Sequence, residues 1–240
     1  MRVVYGRHPV EALLEARPHE ARRLFAGDGA SPRALELARL AKVPVERVRA
    51  DRLQALAKTT HHQLLVAEAE DLPNAEVEDL VPADAPALVL ALDSVQDPHN
   101  LGALVRSAEC FGATGVVFPQ DRSAPLSAVA AKASAGAVER LALAKVVNLA
   151  RALVELKELG AWVVGLASEG PEALPEVDLT GPVVLVVGAE GEGLRPLVRR
   201  TCDRLARLPL VGRTGSLNAS VAGGIALYEA FTQRARRRAK

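Results

Sequence analysis

The amino-acid sequence predicts an α/β fold: a mostly parallel sheet with helices on both faces, preceded by a smaller α/β domain. Three observations predict it. Short apolar runs alternate with amphipathic stretches along most of the 240 residues, the pattern of βα units wound into a parallel sheet. Residues 183–187 are an unbroken run of valine and leucine, as expected of a strand covered on both faces. Between the two halves, residues 71–86, DLPNAEVEDLVPADAP, hold three prolines and five acids without sustained periodicity, which reads as a linker. The expected division is a small domain over 1–70, the linker over 71–86 and a larger domain over 87–240.

Taken in order, the first domain opens with a strand at 3–5, a helix at 9–16 and a strand at 23–26. A helix at 31–41 follows, its Ser31-Pro32 start placing a capping hydroxyl before proline at the first helical position. Then come a strand at 45–48, a short helix at 51–58 and a strand at 63–69. In the second domain a strand at 87–92 leads to a helix at 100–111, with Asn100 as its cap and Gly112 ending it. A strand at 115–118, a helical stretch at 125–134 and an extended one at 138–145 precede a helix at 148–159, capped by Asn148 and stopped by Gly160. Strands at 162–166 and 183–187 follow. An apolar stretch at 205–210 is closed by Pro209, and a last helix is capped by Asn218.

Composition sets limits on function. Apolar residues make up 49% of the chain, ample for a packed core at this length. No apolar run approaches the roughly 20 residues that span a bilayer, and the amino terminus carries charges where a signal peptide has its apolar segment, so no membrane association and a cytoplasmic location are expected. Cys110 and Cys202 are too few for a disulfide framework or a four-ligand zinc site, and read as inert small thiols. A net charge of +1 carries no global nucleic-acid signature, so RNA affinity has to come from local patches. The densest is the carboxyl-terminal Arg234, Arg236, Arg237, Arg238 and Lys240, which reads equally as the cationic end of a helix or as an RNA contact. His61 and His62 are adjacent, point apart in an extended segment, and do not suit a shared metal.

Two loops look ready for a ligand. Gly188, Gly191 and Gly193 follow the apolar strand and let backbone come close to a ligand or to another segment, since no Cβ stands in the way. The polar loop 212–216 follows the next apolar stretch, and sheets of this class bind ligands beyond the carboxyl ends of their strands. The chain has no GxxxxGK[ST], and its glycines run GxxGxG and not GxGxxG, which disfavours a P-loop or an ordinary dinucleotide site. Neither GRTGSLN nor KASAGA fits the GxSxG of a hydrolase.

The spacing G-A-E-G-E-G-L, then L-P-L, then S-L-N-A-S-V-A, together with LDSVQDPHNLGALVRSAECFGA over 92–113, resembles in the right order the three motifs of the SpoU-TrmH family. These are RNA ribose 2′-O-methyltransferases of the SPOUT superfamily. GRHPVEALL and HHQLLVA in the first domain resemble the ribosomal-protein-L30e-like substrate-binding domain found in part of that family, with Leu64 standing where a glycine is usual. The resemblance implies a deep trefoil knot in the carboxyl-terminal segment and a homodimer formed through the catalytic domain. It further implies S-adenosylmethionine as cofactor, no metal, and methylation of a ribose in structured RNA. A guanosine of large-subunit ribosomal RNA is the favoured target and transfer RNA the runner-up; a non-catalytic RNA-binding protein is the alternative of a different class.

The same resemblance places the methyl donor against Gly188, Leu208 and Leu217, with Gly193 and Leu210 lining the slot; leucines and main-chain groups suit the face and edge of adenine. It assigns Arg106 to the ribose hydroxyl. A guanidinium stays protonated, so the expected role is to hold the target phosphate and stabilise the developing alkoxide. Asn100, Glu190, Ser216 and Asn218 are implied to shape the site. Read without the family, these positions are a surface arginine, two helix caps, a solvated acid and a turn hydroxyl.

Overall fold

The computed structural model describes residues 1–213 and 215–238; Thr214 of the polar loop and Lys240 of the basic tail lie outside the described residues. In chain order the first part holds β1 (Arg2–Tyr5), α1 (Arg7–Ala16), β2 (Ala21–Ala26), α2 (Pro32–Leu40), β3 (Val45–Arg47), α3 (Ala50–Ala57) and β4 (Leu65–Ala69). Then follow β5 (Leu88–Asp93), α4 (Pro98–Cys110), β6 (Gly115–Pro119), α5 (Ala128–Ala133), β7 (Ala142–Val146), α6 (Leu149–Glu158) and β8 (Trp162–Leu166). The last quarter adds β9 (Glu172–Ala173), β10 (Val183–Gly188), α7 (Pro196–Thr201), β11 (Arg204–Arg207) and α8 (Ala219–Arg238). Two compact units result, Met1–Pro73 with Leu126–Arg140, and Asn74–Pro125 with Leu141–Lys240.

The first unit is built on a four-stranded sheet in the order β1-β4-β2-β3, with β4 antiparallel to both neighbours. Its residues alternate between two covers, as strand geometry requires. Val4, Leu24, Leu65 and Ala67 pack with Val10 and Leu13 of α1 and Ala34 of α2. Tyr5, Phe25 and Val66 pack on the other side with Leu53 of α3 and Ala128 of α5. The segment 126–140 is fastened by charge as well. Glu139, fully buried in its side chain, receives both guanidinium arms of Arg2 at 2.6 and 2.7 Å, a bidentate geometry that compensates much of its desolvation.

The second unit carries a seven-stranded sheet, order β7-β6-β5-β10-β8-β11-β9, in which every pairing is parallel. On one face Val89, Val117, Val163, Val184 and Val186 meet Leu149, Leu153 and Leu156 of α6 and Val198 of α7. The other face is covered by α4 and α8, which approach closely at a glycine. A Cβ on Gly223 would lie 2.3 Å from Leu104 of α4 and 3.2 Å from Val187 of β10. Alternation of strand side chains thus sends every other residue of β10 to each helical layer, which is why its sequence is apolar throughout.

Several expectations need correction. The cap of α4 is Asp97, whose Oδ1 accepts from the His99 N–H at 2.9 Å, followed by Pro98 at the first helical position; Asn100 lies inside the first turn. Residues 125–134 yield a shorter helix, capped by Ser127, and 138–145 yield a 3-10 turn (Ala137–Glu139) before β7. The acidic stretch 71–86 is no free linker. Beyond Pro73 it joins the second unit, with Leu80 fully buried and Asn74 Oδ1 accepting from Lys145 N–H at 2.6 Å. Its apolar anchors Val77 and Leu80 are spaced among the acids and escaped a reading by composition. Gln63 and Leu64 both adopt positive φ, 52° and 62°, so Leu64 carries the strain a glycine would avoid.

Candidate active site

From β5 the chain winds through β6 to β7 on one side and then returns to β8 on the other, leaving a gap that β10 fills. Such a reversal, at the carboxyl ends of the strands, is where open α/β sheets take ligands. A cleft of about 280 Å³ opens there. Its walls come from the loops after β8, β10 and β11. Gly188, Gly193, Leu208, Leu210 and Leu217, the five residues expected at the methyl donor, all line it, as do Glu190 and Ser216.

The glycine loop is shaped by its own backbone. Ala189 and Gly193 exchange two hydrogen bonds, at 3.1 and 2.9 Å, closing a tight turn, and Gly191 and Gly193 hold φ of 82° and 68°, a region glycine enters freely. Gly188 serves a different purpose. A Cβ there would meet the Gly193 carbonyl carbon at 2.3 Å, so its missing side chain makes room for the returning loop and not for a ligand atom.

Asn218 joins three elements. Its Oδ1 accepts from the Ser220 N–H at 2.9 Å and the Ser220 hydroxyl at 2.6 Å, capping α8. Its Nδ2 donates to Asn100 Oδ1 at 3.1 Å and to Glu190 Oε2 at 3.3 Å. One side chain therefore ties the first turn of α4 to the glycine loop and to the start of the last helix. Arg106 is placed differently. It lies on α4, exposed, outside the cleft lining and without a hydrogen bond or ion pair among the described residues.

Sequence reasoning missed Asp93 and Arg195. Asp93 ends β5, fully buried and in register with Gly188. It accepts from the Arg195 backbone N–H at 2.7 Å and from Arg195 Nε at 2.5 Å, clamping the exit of the glycine loop. The available signal was an acid closing the otherwise apolar LVLALD. Glu169 and Arg199, also missed, are paired and line the cleft; a hydrogen bond from the backbone, then Ser168 and Arg199, hold the Glu169 carboxyl below its ordinary range. Cys202 is half-buried, and burial first, then Asp203, pushes its thiol up to about 11, which suits an inert role. Cys110, by contrast, is exposed on α4.

The lining predicts its ligand. Val187, Leu166 and the three expected leucines provide an apolar slot, and the glycine loop supplies main-chain donors and acceptors. Glu169, Glu190 and Glu192 face a single arginine, Arg199, leaving an excess of negative charge. A flat ring bearing a cationic substituent fits this combination.

Comparison with known proteins follows the same lines. Residues 87–228 match the model of the SpoU rRNA Methylase family, and residues 3–75 that described as RNA 2′-O ribose methyltransferase substrate binding. A relative in Pseudomonas putida, named 23S rRNA (guanosine-2′-O-)-methyltransferase RlmB, is 41% identical over 238 residues, 96% of each chain. The crystal structure of the SpoU methyltransferase AviRb from Streptomyces viridochromogenes with AdoMet superposes with a TM-score of 0.84 at 26% identity, covering 98% of this chain and 90% of that one. An AdoMet-bound rRNA methyltransferase from Sinorhizobium meliloti gives 0.80 at 26% identity, covering 95% and 86%.

Proposed function

The chain belongs to the SpoU rRNA methylase family, and from that premise we propose that it methylates the ribose 2′-hydroxyl of a guanosine in 23S ribosomal RNA. It is an RNA 2′-O-ribose methyltransferase that uses S-adenosylmethionine, whose sulfonium supplies the electrophilic methyl group when bound. The fit is supported by the apolar slot, the main-chain groups of the glycine loop and the surplus of carboxylates around it. An rRNA substrate also agrees with the cytoplasmic location expected from the sequence; among the described residues no helix is long and apolar enough to cross a membrane.

In this reading Leu208, Leu210 and Leu217 hold the adenine, while Gly188 and Gly193 shape the backbone that meets its edge. Asn218 keeps Asn100 and Glu190 in fixed relation, and Ser216 positions the nucleotide beside them. Arg106 grips the target phosphate through paired N–H groups and stabilises the ribose oxygen as its proton passes to that phosphate. The observation that carries the proposal is the Asn218 junction, because it draws residues 100, 190 and 218 together beside the one cleft that the expected donor residues line.

A homodimer through the second unit is part of the proposal. Val221, Ile225, Tyr228 and Phe231 form an exposed stripe on α8, and Phe111 joins it with ring centroids 5.6 Å from Tyr228 and 5.9 Å from Phe231. Apolar side chains exposed side by side in this way suit a protein contact. Gly223 of the same helix is turned the other way, toward Leu104 of α4. Tyr228→Asp should shift the sedimenting species from dimer to monomer, and a wild-type chain that sediments as a monomer at micromolar concentration removes this part.

The activity is tested by incubating the protein with radiolabelled methyl donor and unmodified 23S rRNA or transfer RNA. Label is expected on a single guanosine ribose of the ribosomal RNA. Label on transfer RNA alone, or on neither, would overturn the assignment.

A further inference from the structure

Trp162 is the only tryptophan in the chain, and it stands 57% exposed at the start of β8. The ring is held in place and not loose. The Arg204 guanidinium lies 5.8 Å from its centroid, and Arg204 is itself fixed by Glu172 at 2.6 Å. The Trp162 backbone N–H donates to the Pro182 carbonyl at 3.0 Å, which ties it to the turn entering β10.

That turn, residues 180–182, forms one wall of a second hollow of about 390 Å³, and Arg234, Arg237 and Arg238 form the other. Arg234 builds the hollow. Its guanidinium donates to the carbonyls of Leu179, Pro86, Ala87 and Gly181 at 3.0, 2.9, 2.8 and 2.6 Å. Burial first, and then the charge of Arg238, lowers its affinity for its proton. Arg237 donates to Thr180 Oγ1 at 2.8 Å. Arg238 has no hydrogen bond or ion pair among the described residues. Asp178 is the acid that feels Arg237, and its carboxyl is already engaged by Thr180. Guanidinium groups gathered with so little neutralising charge attract an anion. Trp162, whose backbone is bonded to the same turn that lines the hollow, adds the exposed ring that a nucleobase needs, since bases stack on aromatic faces while cations follow the phosphates.

We propose that the amino-terminal edge of the parallel sheet is a second RNA-binding surface, where Trp162 stacks an unpaired base and Arg237 and Arg238 take phosphates of the same strand. It rests on the reading of the chain as an RNA methyltransferase. The strands β5 and β10 are six residues long, so at about 3.3 Å per residue the surface lies roughly 20 Å from the cleft at their carboxyl ends. Stacked nucleotides rise about 3.4 Å each, so an RNA serving both places needs at least about six nucleotides beyond the target.

The test uses the full chain and in vitro transcribed 23S rRNA, with filter binding and the emission of Trp162 followed together. Emission should change and saturate with binding. Trp162→Ala should weaken binding about five-fold or more, and Trp162→Phe should recover most of it. The double substitution Arg237→Ala with Arg238→Ala should reduce the slope of log affinity against log salt by about 1.4. The rate at saturating RNA and the donor affinity should stay as in the wild type. Binding without any change in emission overturns the proposal, as does an unaltered salt slope. So does emission that moves with protein concentration alone, which marks a protein contact in place of RNA. A wild-type chain that methylates RNA while Trp162 stays silent refutes this surface only; one that neither binds nor methylates any RNA refutes the reading beneath it.

Discussion

Asn218 performs two tasks that substitution can separate. Asn218→Ala removes the cap of α8, about 1 kcal/mol. It also removes two bonds from Nδ2, at 3.1 Å to Asn100 and 3.3 Å to Glu190. Those contribute about 1 kcal/mol and about half that, the second being longer and at an exposed acid. The sum of about 2.5 kcal/mol corresponds to a fall in Tm of roughly 5–10 °C for a chain of this size. Asn218→Asp is the informative partner. It keeps the cap oxygen and places a negative charge at a helix amino terminus, which is favourable by about 0.3–1 kcal/mol, so its Tm should stay within a few degrees of the wild type. Its second oxygen, however, faces Asn100 Oδ1 and Glu190 Oε2. Asn100 can answer by turning its amide, but Glu190 cannot. Methyl transfer should therefore fall at least about ten-fold, the equivalent of one lost bond of 1.4 kcal/mol. Thermal melts and initial rates with labelled donor read the two effects separately. An Asn218→Asp protein with wild-type turnover would show that the junction is only a cap, and one as unstable as the alanine variant would show that the cap oxygen carries little of the stability.

Arg106→Ala should lower turnover about 100-fold or more while the donor dissociation constant, read by calorimetry, stays within about two-fold; Arg106→Lys should recover little, lacking the paired N–H groups. Gly188→Ala places a Cβ 2.3 Å from the Gly193 backbone, so donor affinity should fall at least about ten-fold and the melt should lose about 1–3 kcal/mol, both measurable on the purified protein. Glu139→Ala removes both carboxylate bonds of the largely buried Arg2 guanidinium, which keeps the Glu70 carbonyl at 2.8 Å and Glu20 at 4.0 Å, at a cost of about 2–4 kcal/mol in a urea melt. His62 is buried, and burial first, then Lys132, lowers its pKa from 6.5. The unfolded chain thus takes up a proton that the folded one resists, and stability should decline as pH falls through about 6.5, levelling off once the folded form protonates. His62→Asn keeps an acceptor for the Leu64 N–H and should flatten that decline in melts taken at about pH 7.5 and 5.5.

What could be read without coordinates follows from how local each signal is. Helix α6 announces itself by Asn148 before it and Gly160 after it, and β8 and β10 by apolar runs of the right length. The five residues that the family resemblance assigns to the methyl donor line one cleft, because the motifs that carry them sit on loops at the same end of the sheet. The cap of α4 was misplaced because Asp97-Pro98 and Asn100 compete for the same role within four residues. Helix α7 is six residues long with few apolar positions, and β9 is two residues held by register with β11; neither leaves a periodicity to detect. Asp93 was hidden because a buried acid is recognised by its partner, and Arg195 is 102 residues away. Placement of 126–140 in the first unit depends on Arg2, Arg17 and Ala12 receiving it, which no local pattern records.

That placement governs how the chain is made. Arg2 leaves the ribosome 137 positions ahead of the carboxylate it pairs with. At about 5–20 residues per second the wait is roughly 7–30 s. During it β5 and β6 emerge while the first unit is still missing a helix and a buried acid. The units are therefore assembled as an interleaved pair, and a gene fragment ended at Pro73 encodes a piece without its closing segment.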